Sequence, residues 1–271
     1  MKFLVIGDVM LDAYLDVKHK ENYEGAKHSF IGQKFLYKLG GAANVAYILK
    51  GQGHEIMMCG AIAPDWGGQY ILDMFSLDER MLYMDLPSSI LKIRAIQDNE
   101  IIVRLDCEQY KESDCLELAY VKLDFDAVIF SDYHRGVFHA NNREIVANIV
   151  KGLDCPVVSD PHVYSIREVM EGVTVITPNL LEFTRLNKPL ISQWSAVTRG
   201  ADGVSLYDKK ALYAEYACNE VIENPEIVGA GDAFTAGIAI ALGAGQNVPD
   251  AVQYAMSLTE KYIQVPRYKE M

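Results

Sequence analysis

The sequence predicts an α/β fold: a mostly parallel central sheet with helices on both faces, joined to a small β-sheet. Three observations predict it. From residue 112 onward, short apolar runs end in polar loops and are followed by helical stretches, the alternation that builds parallel sheets. Between residues 81 and 106 strand-like runs follow one another without helices, as a meander set apart would. No Ser/Thr/Pro-rich linker, repeat or low-complexity tract interrupts the 271 residues, so a single domain over 1–271 is expected.

Residues 2 to 6 read as a buried, central parallel strand ended by Gly7-Asp8. In the following stretch Leu11, Ala13, Leu15 and Val17 alternate with more polar positions, the pattern of a half-exposed strand. Residues 18 to 33 are polar and carry no clear period, and Phe35 to Leu39 reads as a short strand. Gly40-Gly41-Ala42-Ala43-Asn44 opens a helix that runs to about Lys50 and is stopped by Gly51 and Gly53. Ile56 to Gly60 is a strand and Trp66 to Ser76 a helix. Met81 to Leu86, Ile90 to Ile96 and Ile101 to Leu105 are consecutive strands, with turns at Pro87-Ser88-Ser89 and Asp98-Asn99.

The regular half begins with a helix from Leu116 to Lys122. Strands follow at Ala127 to Phe130, Pro156 to Ser159, Val173 to Ile176 and Ala196 to Thr198, then a hairpin from Val204 to Tyr213 around Asp208-Lys209-Lys210. Helices are expected at Asn142 to Lys151, after Asn179, after Asp232 and over 248 to 263. Ligands of parallel α/β sheets sit beyond the carboxyl ends of the strands. Asp132, Asp160, Asn179, Glu182, Thr198 and Gly200 all fall there.

Composition narrows the partners. With 25 basic against 37 acidic residues the net charge is −12, so non-specific attraction to nucleic acid or an anionic membrane has the wrong sign. The cysteines, Cys59, Cys107, Cys115, Cys155 and Cys218, are scattered, odd in number and without a C-x-x-C pair, as in a reducing compartment. The opening apolar run is too short for a signal peptide, and no stretch is long enough to span a bilayer. A soluble cytoplasmic protein is expected.

The sharpest local signal is Val228-Gly229-Ala230-Gly231-Asp232, followed by a small and apolar helix. A Gly-rich turn opening a helix aims backbone N–H groups and the positive end of the helix dipole at one spot, an anion site. A carboxylate there suits the orientation or deprotonation of a hydroxyl that attacks a phosphoryl group. The same residues also fit an ordinary turn with Asp232 as N-cap. Asn179 and Glu182, three apart on one helix face, suit Mg²⁺ and equally suit a capping box. Asn44 is placed either to bond a hydroxylated ligand or to face outward from its helix or cap it. Neither the dinucleotide fingerprint G-x-G-x-x-G nor the Walker motif G-x-x-x-x-G-K-[ST] occurs.

Gly40-Gly41-Ala42-Ala43-Asn44, Asn179-Leu180-Leu181-Glu182 and Glu226-Ile227-Val228-Gly229-Ala230-Gly231-Asp232 together resemble the signatures of the ribokinase-like (PfkB-type) carbohydrate kinases, in the right order and over essentially the whole chain. Gly7-Asp8-Val9-Met10-Leu11-Asp12, Arg104-Leu105-Asp106-Cys107-Glu108, Ser131 to Val137 and Val197-Thr198-Arg199 resemble, more narrowly, the kinase half of bacterial heptose-phosphate kinases, which act on the anomeric hydroxyl of D-glycero-D-manno-heptose 7-phosphate.

The resemblance implies a three-layer ribokinase-like sandwich whose small sheet is a lid, with strands from about 12–18, 34–38 and 81–106, that also makes a homodimer contact. It implies ATP and Mg²⁺ as cofactors and a small-molecule sugar as substrate. Asp232 becomes the base, and the amides of Gly229, Ala230 and Gly231 hold the transferring group. Asp12, Gly40, Gly41, Asn44 and Asp132 fall to the sugar side. Apart from the resemblance, Lys92, Arg94 and Arg104 on the small sheet are expected to supply charge for a substrate phosphate. Asn179, Thr198, Arg199, Gly200 and Gly203 fall to the nucleotide, and Asn179 with Glu182 to Mg²⁺.

The chain departs from the family pattern at several points. Glu226 stands for Asp, Arg135 and His162 for Lys, and Met256 for Asn, while only Phe183 to Ala196 separates Glu182 from the next strand. The shortened segment keeps a non-catalytic sugar- or nucleotide-binding relative in play. A kinase acting on a nucleoside or another small alcohol is the third alternative.

Overall fold

A computed structural model describes residues 1–20, 28–98, 100–116, 124–186, 192–209, 211–218, 222, 225 and 227–264. The chain opens with β1 (Lys2–Gly7), β2 (Val9–Lys20) and β3 (Ser29–Gly41), then α1 (Ala42–Gly51), β4 (Glu55–Ile62) and α2 (Trp66–Met74). Next come β5 (Arg80–Met84), β6 (Leu91–Gln97), β7 (Glu100–Cys107), β8 (Ala127–Ser131), α3 (Arg143–Gly152), β9 (Val157–Asp160) and β10 (Val175–Ile176). The last part holds α4 (Leu180–Arg185), β11 (Trp194–Thr198), β12 (Val204–Asp208), β13 (Ala211–Tyr216), α5 (Ala230–Gly243) and α6 (Val248–Ile263).

Nine strands form the main sheet in the order β13-β12-β11-β10-β9-β8-β1-β4-β5. All neighbours from β11 to β5 run parallel, and β12 and β13 close one edge antiparallel. Successive strand side chains point to opposite faces, and the two faces build separate cores. Phe3, Val5, Ala127, Ile129, Val158 and Val175 pack on the side of α1, α2, α5 and α6. Leu4, Ile6, Val128, Phe130, Val157 and Ile176 pack on the side of α3. Each large side chain so buried contributes about 1.5–3 kcal/mol, which explains why these strands read as unbroken apolar runs rather than as alternations. The three-layer α/β class expected from the sequence is observed. Among the described residues no helix is long and apolar enough to cross a membrane.

The small sheet has the order β3-β2-β6-β7, with β2 and β6 parallel and the outer pairs antiparallel. Two expectations are corrected here. The segment Met81 to Leu86 is not part of this sheet; as β5 it pairs with β4 at the edge of the main sheet. The reason is connectivity: α2 precedes it, and a strand–helix–strand crossover returns the chain parallel to its own sheet. The stretch Val9 to Tyr14 is buried throughout rather than half-exposed, because β2 leaves the main sheet there with both faces covered. The polar stretch after residue 17 continues β2 to Lys20, and β3 begins at Ser29. Apart from Leu116, the helix expected from Leu116 to Lys122 lies outside the described residues.

The register sorts the small sheet by face. Asp12, Lys92 and Asp106 lie across from one another, as do Tyr14, Arg94 and Arg104. On the other face Phe35, Leu15, Ala95 and Val103 form one apolar row, and Tyr37, Ala13, Ile93 and Leu105 the next. The charged face looks toward the strand ends of the main sheet, since Lys92 Nζ stands 4.7 Å from the ring centroid of Tyr133 beyond β8.

Candidate active site

The site forms where the turn before α5, the start of α1 and the loops after β8, β9 and β10 converge. Gly229 is the residue before α5, at φ 82°. A Cβ there would stand 2.5 Å from Tyr262 Oη and 2.7 Å from Asn44 Nδ2, so both backbone sign and space demand glycine. Gly41 has the same role before α1: its φ is 57°, and a Cβ would meet the Asp8 carbonyl oxygen at 2.4 Å.

These turns bring two distant side chains together. Asp232, on the first turn of α5 and 3% exposed, accepts from Asn44 Nδ2 at 2.7 Å and from Tyr133 Oη at 2.8 Å, one donor on each carboxylate oxygen. The carboxylate therefore bridges α1 and the β8 loop, and the N-cap position of α5 falls to Gly229, not Asp232. Asn44 Nδ2 also lies 3.2 Å from Tyr262 Oη of α6. Asn44 is 2% exposed, which excludes the outward-facing alternative. Burial and the charges of Asp232, Asp160 and Asp12 hold the Tyr133 phenol well above its usual range, so it stays a neutral donor. Of the three amides expected to hold an anion, that of Ala230 donates to the Ile227 carbonyl at 3.2 Å, because the turn into α5 closes on itself.

The loop after β8 is shaped by a residue that sequence reasoning left without a role. Asp8 is buried, and its carboxylate accepts from the amides of Tyr133 (2.9 Å), Arg135 (2.9 Å) and Val137 (3.1 Å). Its position directly after a buried strand was the available signal. Asp132, expected on the sugar side, spends its carboxylate on the protein: Oδ1 accepts from the His134 amide at 2.7 Å and Oδ2 from Ser165 Oγ at 2.5 Å.

Four carboxyls of this region are held above the usual range. Burial, opposed by its backbone hydrogen bonds, raises Asp8, and burial with the charge of Asp8 raises Asp132 to about 7. Burial together with Glu182, Asp232 and Asp132 pushes Asp160 well up, and burial raises Glu182. A raised native value means that the folded state holds protons the unfolded chain has lost, so stability falls as pH rises through that window. For Asp132 the window runs from about 4, the unfolded value, to about 7. Tm is therefore expected to fall between about pH 4 and 7, and Asp132→Asn, which keeps the acceptor for the His134 amide and turns a donor toward Ser165 Oγ, is expected to flatten that fall. A recovery of about 1 kcal/mol or more at pH 8, read as roughly 2–4 °C in a thermal melt, is the expected size. Equal slopes in both proteins would remove Asp132 from the effect, and His162, whose shift has the opposite sign, is common to both.

Asn179 and Glu182 realise the capping box. Glu182 Oε2 accepts from the Asn179 amide at 2.8 Å, and Asn179 Oδ1 accepts from the Glu182 amide at 2.9 Å. Next to them, between the β11–β12 loop and the start of α5, lies a cavity of about 230 Å³. Thr198, Gly200 and Gly203 line one side, Ala230 and Gly231 another, and Phe234 and Met256 the floor. Arg199 does not line it; its guanidinium pairs with Glu215 of β13 at 2.9 Å. The segment 187–191 and Glu226 lie outside the described residues.

The three basic residues assigned to a substrate phosphate separate. Arg94 Nη1 meets Asp12 Oδ1 at 2.5 Å in a buried pair. Arg104 forks onto Asp106 through Nε and Nη2 at 2.8 and 2.9 Å. The physical reason is side-chain alternation: Arg94 shares a face with Asp12 of the neighbouring strand, and Arg104 with Asp106 two residues along its own. Lys92 makes no ion pair among the described residues and lies over Tyr133. A Cβ on Gly40 would stand 3.1 Å from Asp12 Oδ2, so this glycine is a wall of the same corner.

Comparison with known proteins agrees with this geometry. Residues 108–266 match the model of the pfkB family carbohydrate kinases. Among curated proteins, the bifunctional protein HldE of Pseudomonas paraeruginosa is 28% identical over 282 residues, covering 93% of this chain and 58% of that protein. HldE of Nitratiruptor sp. is 28% identical over 283 residues, covering 94% and 59%. The chain thus spans under two thirds of the length of these relatives. Among solved structures, Arabidopsis thaliana ribokinase complexed with ribose and ATP superposes with a TM-score of 0.75 at 17% identity, over 97% of this chain and 92% of that one.

Proposed function

The chain belongs to the pfkB family of carbohydrate kinases, and on that premise we propose that it transfers the terminal phosphoryl group of ATP to a sugar hydroxyl. The acceptor in this reading is a heptose 7-phosphate or a similar phosphorylated sugar, taken at its anomeric hydroxyl; the resemblance to HldE supports that choice. The observation that carries the reading is Asp232. It is a buried carboxylate at the mouth of a glycine turn, held from opposite sides by Asn44 and Tyr133, with a largely apolar cavity beside it.

Asp232 takes the proton of the attacking hydroxyl as its oxygen approaches phosphorus. Asn44 and Tyr133 fix the direction of the carboxylate, so the chemistry is mostly positioning. Asp12 and Gly40 shape the corner that holds the sugar hydroxyls. The cavity lined by Thr198, Gly203, Phe234 and Met256 takes the base, and its apolar lining holds a flat ring by contact. The first turn of α5, through the Gly231 amide, faces the transferring group.

Mg²⁺ fits the donor set. Asp160, Glu182 and Asp232 stand near enough to raise Asp160, a repulsion that a cation relieves. Among the described residues no three His, Cys, Asp or Glu side chains form a metal cage, in keeping with an ion held by one or two carboxylates and the nucleotide phosphates. Glu182 and Asp160, with Asn179, are the residues that would hold it. When bound, Mg²⁺ neutralises charge on the phosphates.

The test is ADP release with ATP and Mg²⁺ over a panel of sugars, sugar phosphates, nucleosides and small alcohols. Release that depends on a sugar or sugar phosphate is the expected result. Release only with a nucleoside would move the reading to that acceptor class. Ligand-induced thermal stabilisation without turnover on any member would overturn it in favour of a binding protein.

A further inference from the structure

His134, in the loop after β8, and His162, in the loop after β9, meet beside the site. Their rings are nearly parallel, with centroids 5.6 Å apart and an interplanar angle of 10°. Tyr164 closes the third side, 5.7 Å from His134 and 5.4 Å from His162. His134 holds a left-handed backbone, φ 57°, tied by its amide to Asp132. Non-glycine residues persist there only when their surroundings enforce it, and such strain gathers at binding loops. His162 Nδ1 accepts from the Tyr164 amide at 3.3 Å, which leaves the ring proton on Nε2 and makes that edge a donor.

The charges around this pair favour an anion. Lys92, on the facing strand of the small sheet, lies over the Tyr133 ring without an ion pair among the described residues. Four of the nearby carboxylates have partners of their own. Glu108 pairs with Arg135 at 2.6 Å, Asp12 with Arg94 and Asp106 with Arg104. Asp132 accepts from Ser165 and the His134 amide. Tyr133 links the two ends of the site, its hydroxyl on Asp232 and its ring under Lys92.

We infer that His162, His134 and Lys92 form the subsite for a phosphate ester carried by the acceptor at the end away from the hydroxyl that is phosphorylated. The inference rests on the sugar-kinase reading and names three residues for a task that Arg94 and Arg104, bound to their own carboxylates, do not perform. Imidazole suits the task, since a neutral ring donates a hydrogen bond and a protonated one adds charge.

The experiment compares matched acceptors, each sugar with and without its terminal phosphate, in wild type, His162→Ala, His134→Ala and Lys92→Met. Wild type is expected to favour the phosphorylated member in kcat/KM. Each substitution is expected to shrink that preference about tenfold to a hundredfold, the scale of a lost hydrogen bond to a charged group. Equal losses on both members of a pair, or no preference in wild type, would overturn the inference while leaving the kinase reading intact. If no acceptor is turned over, the kinase reading fails by itself, and the subsite is still tested by NMR titration of the histidines. Glycerol phosphate, against glycerol, is expected to shift the ring resonances of His162 and His134 at fixed pH, and no shift would remove the subsite.

Discussion

Asp232→Asn is expected to lower turnover about 10²–10⁴-fold, the usual worth of a positioned general base, while the fold persists. The structure states why the two effects separate. A carboxylate accepts on both oxygens, one from Tyr133 and one from Asn44. An amide keeps the acceptor facing Tyr133 but turns a donor toward Asn44 Nδ2, so one buried pairing is lost at a cost of about 1–3 kcal/mol. That is a drop in Tm, not unfolding. Tyr133→Phe removes one donor and no proton acceptor. It acts as a positioning change, expected to reduce kcat modestly and to shift the lower limb of the pH–rate profile upward, because the carboxylate loses a hydrogen bond that favours its charged form. Full turnover in Asp232→Asn would sink the role of this residue, and an unmoved profile in Tyr133→Phe would reduce that tyrosine to packing.

The sequence was informative where one residue answers to one physical demand. The Gly40-Gly41 and Gly229 turns, the buried runs of β1 and β8 and the carboxylate at 232 were legible because positive φ, two-sided burial and a small-residue helix leave local marks. Residues 108–266 then carried the family match that the motifs suggested. What escaped was set by pairing over long separations. Asp232 meets Asn44 across 188 positions and Tyr133 across 99. Nothing local to Tyr133 signals such a partner. The same limit separated Arg94 from a substrate phosphate, since only the register of β2 and β6 brings Asp12 to its face. Arg104 is different: Asp106 stands two residues along the same strand, where alternation alone puts both on one face. The strand at Met81 was misplaced for a related reason: its neighbours in sequence form a meander, while its partner in space is β4.

Arg94→Met is expected to destabilise the protein by about 3–5 kcal/mol, the cost of stripping one partner from a buried ion pair. Both side chains are nearly closed to solvent, 7% for Arg94 and 6% for Asp12. They join β2 and β6, parallel neighbours whose contact spans 82 positions of sequence. The guanidinium also lies 5.6 Å from the Tyr14 ring centroid and donates to the Lys92 carbonyl at 3.3 Å, so the arginine fastens the small sheet at three points. Removal leaves the Asp12 carboxylate short of its closest cation in the same corner that Gly40 walls. The double variant Asp12→Leu with Arg94→Met removes the charge along with its partner and is expected to recover much of the loss, since a packed apolar pair of similar volume is often as stable as a buried ion pair. Denaturant melts of the four proteins in this cycle give the coupling energy. A loss below about 0.5 kcal/mol in Arg94→Met would show that the pair is solvated in practice. A double variant no better than the single would trace the loss to the arginine's contacts with Tyr14 and Lys92 instead of its charge. Because the proposed reading also gives Asp12 to the sugar side, the double variant separates the two tasks of this corner: the small sheet is expected to regain its anchor while acceptor binding weakens.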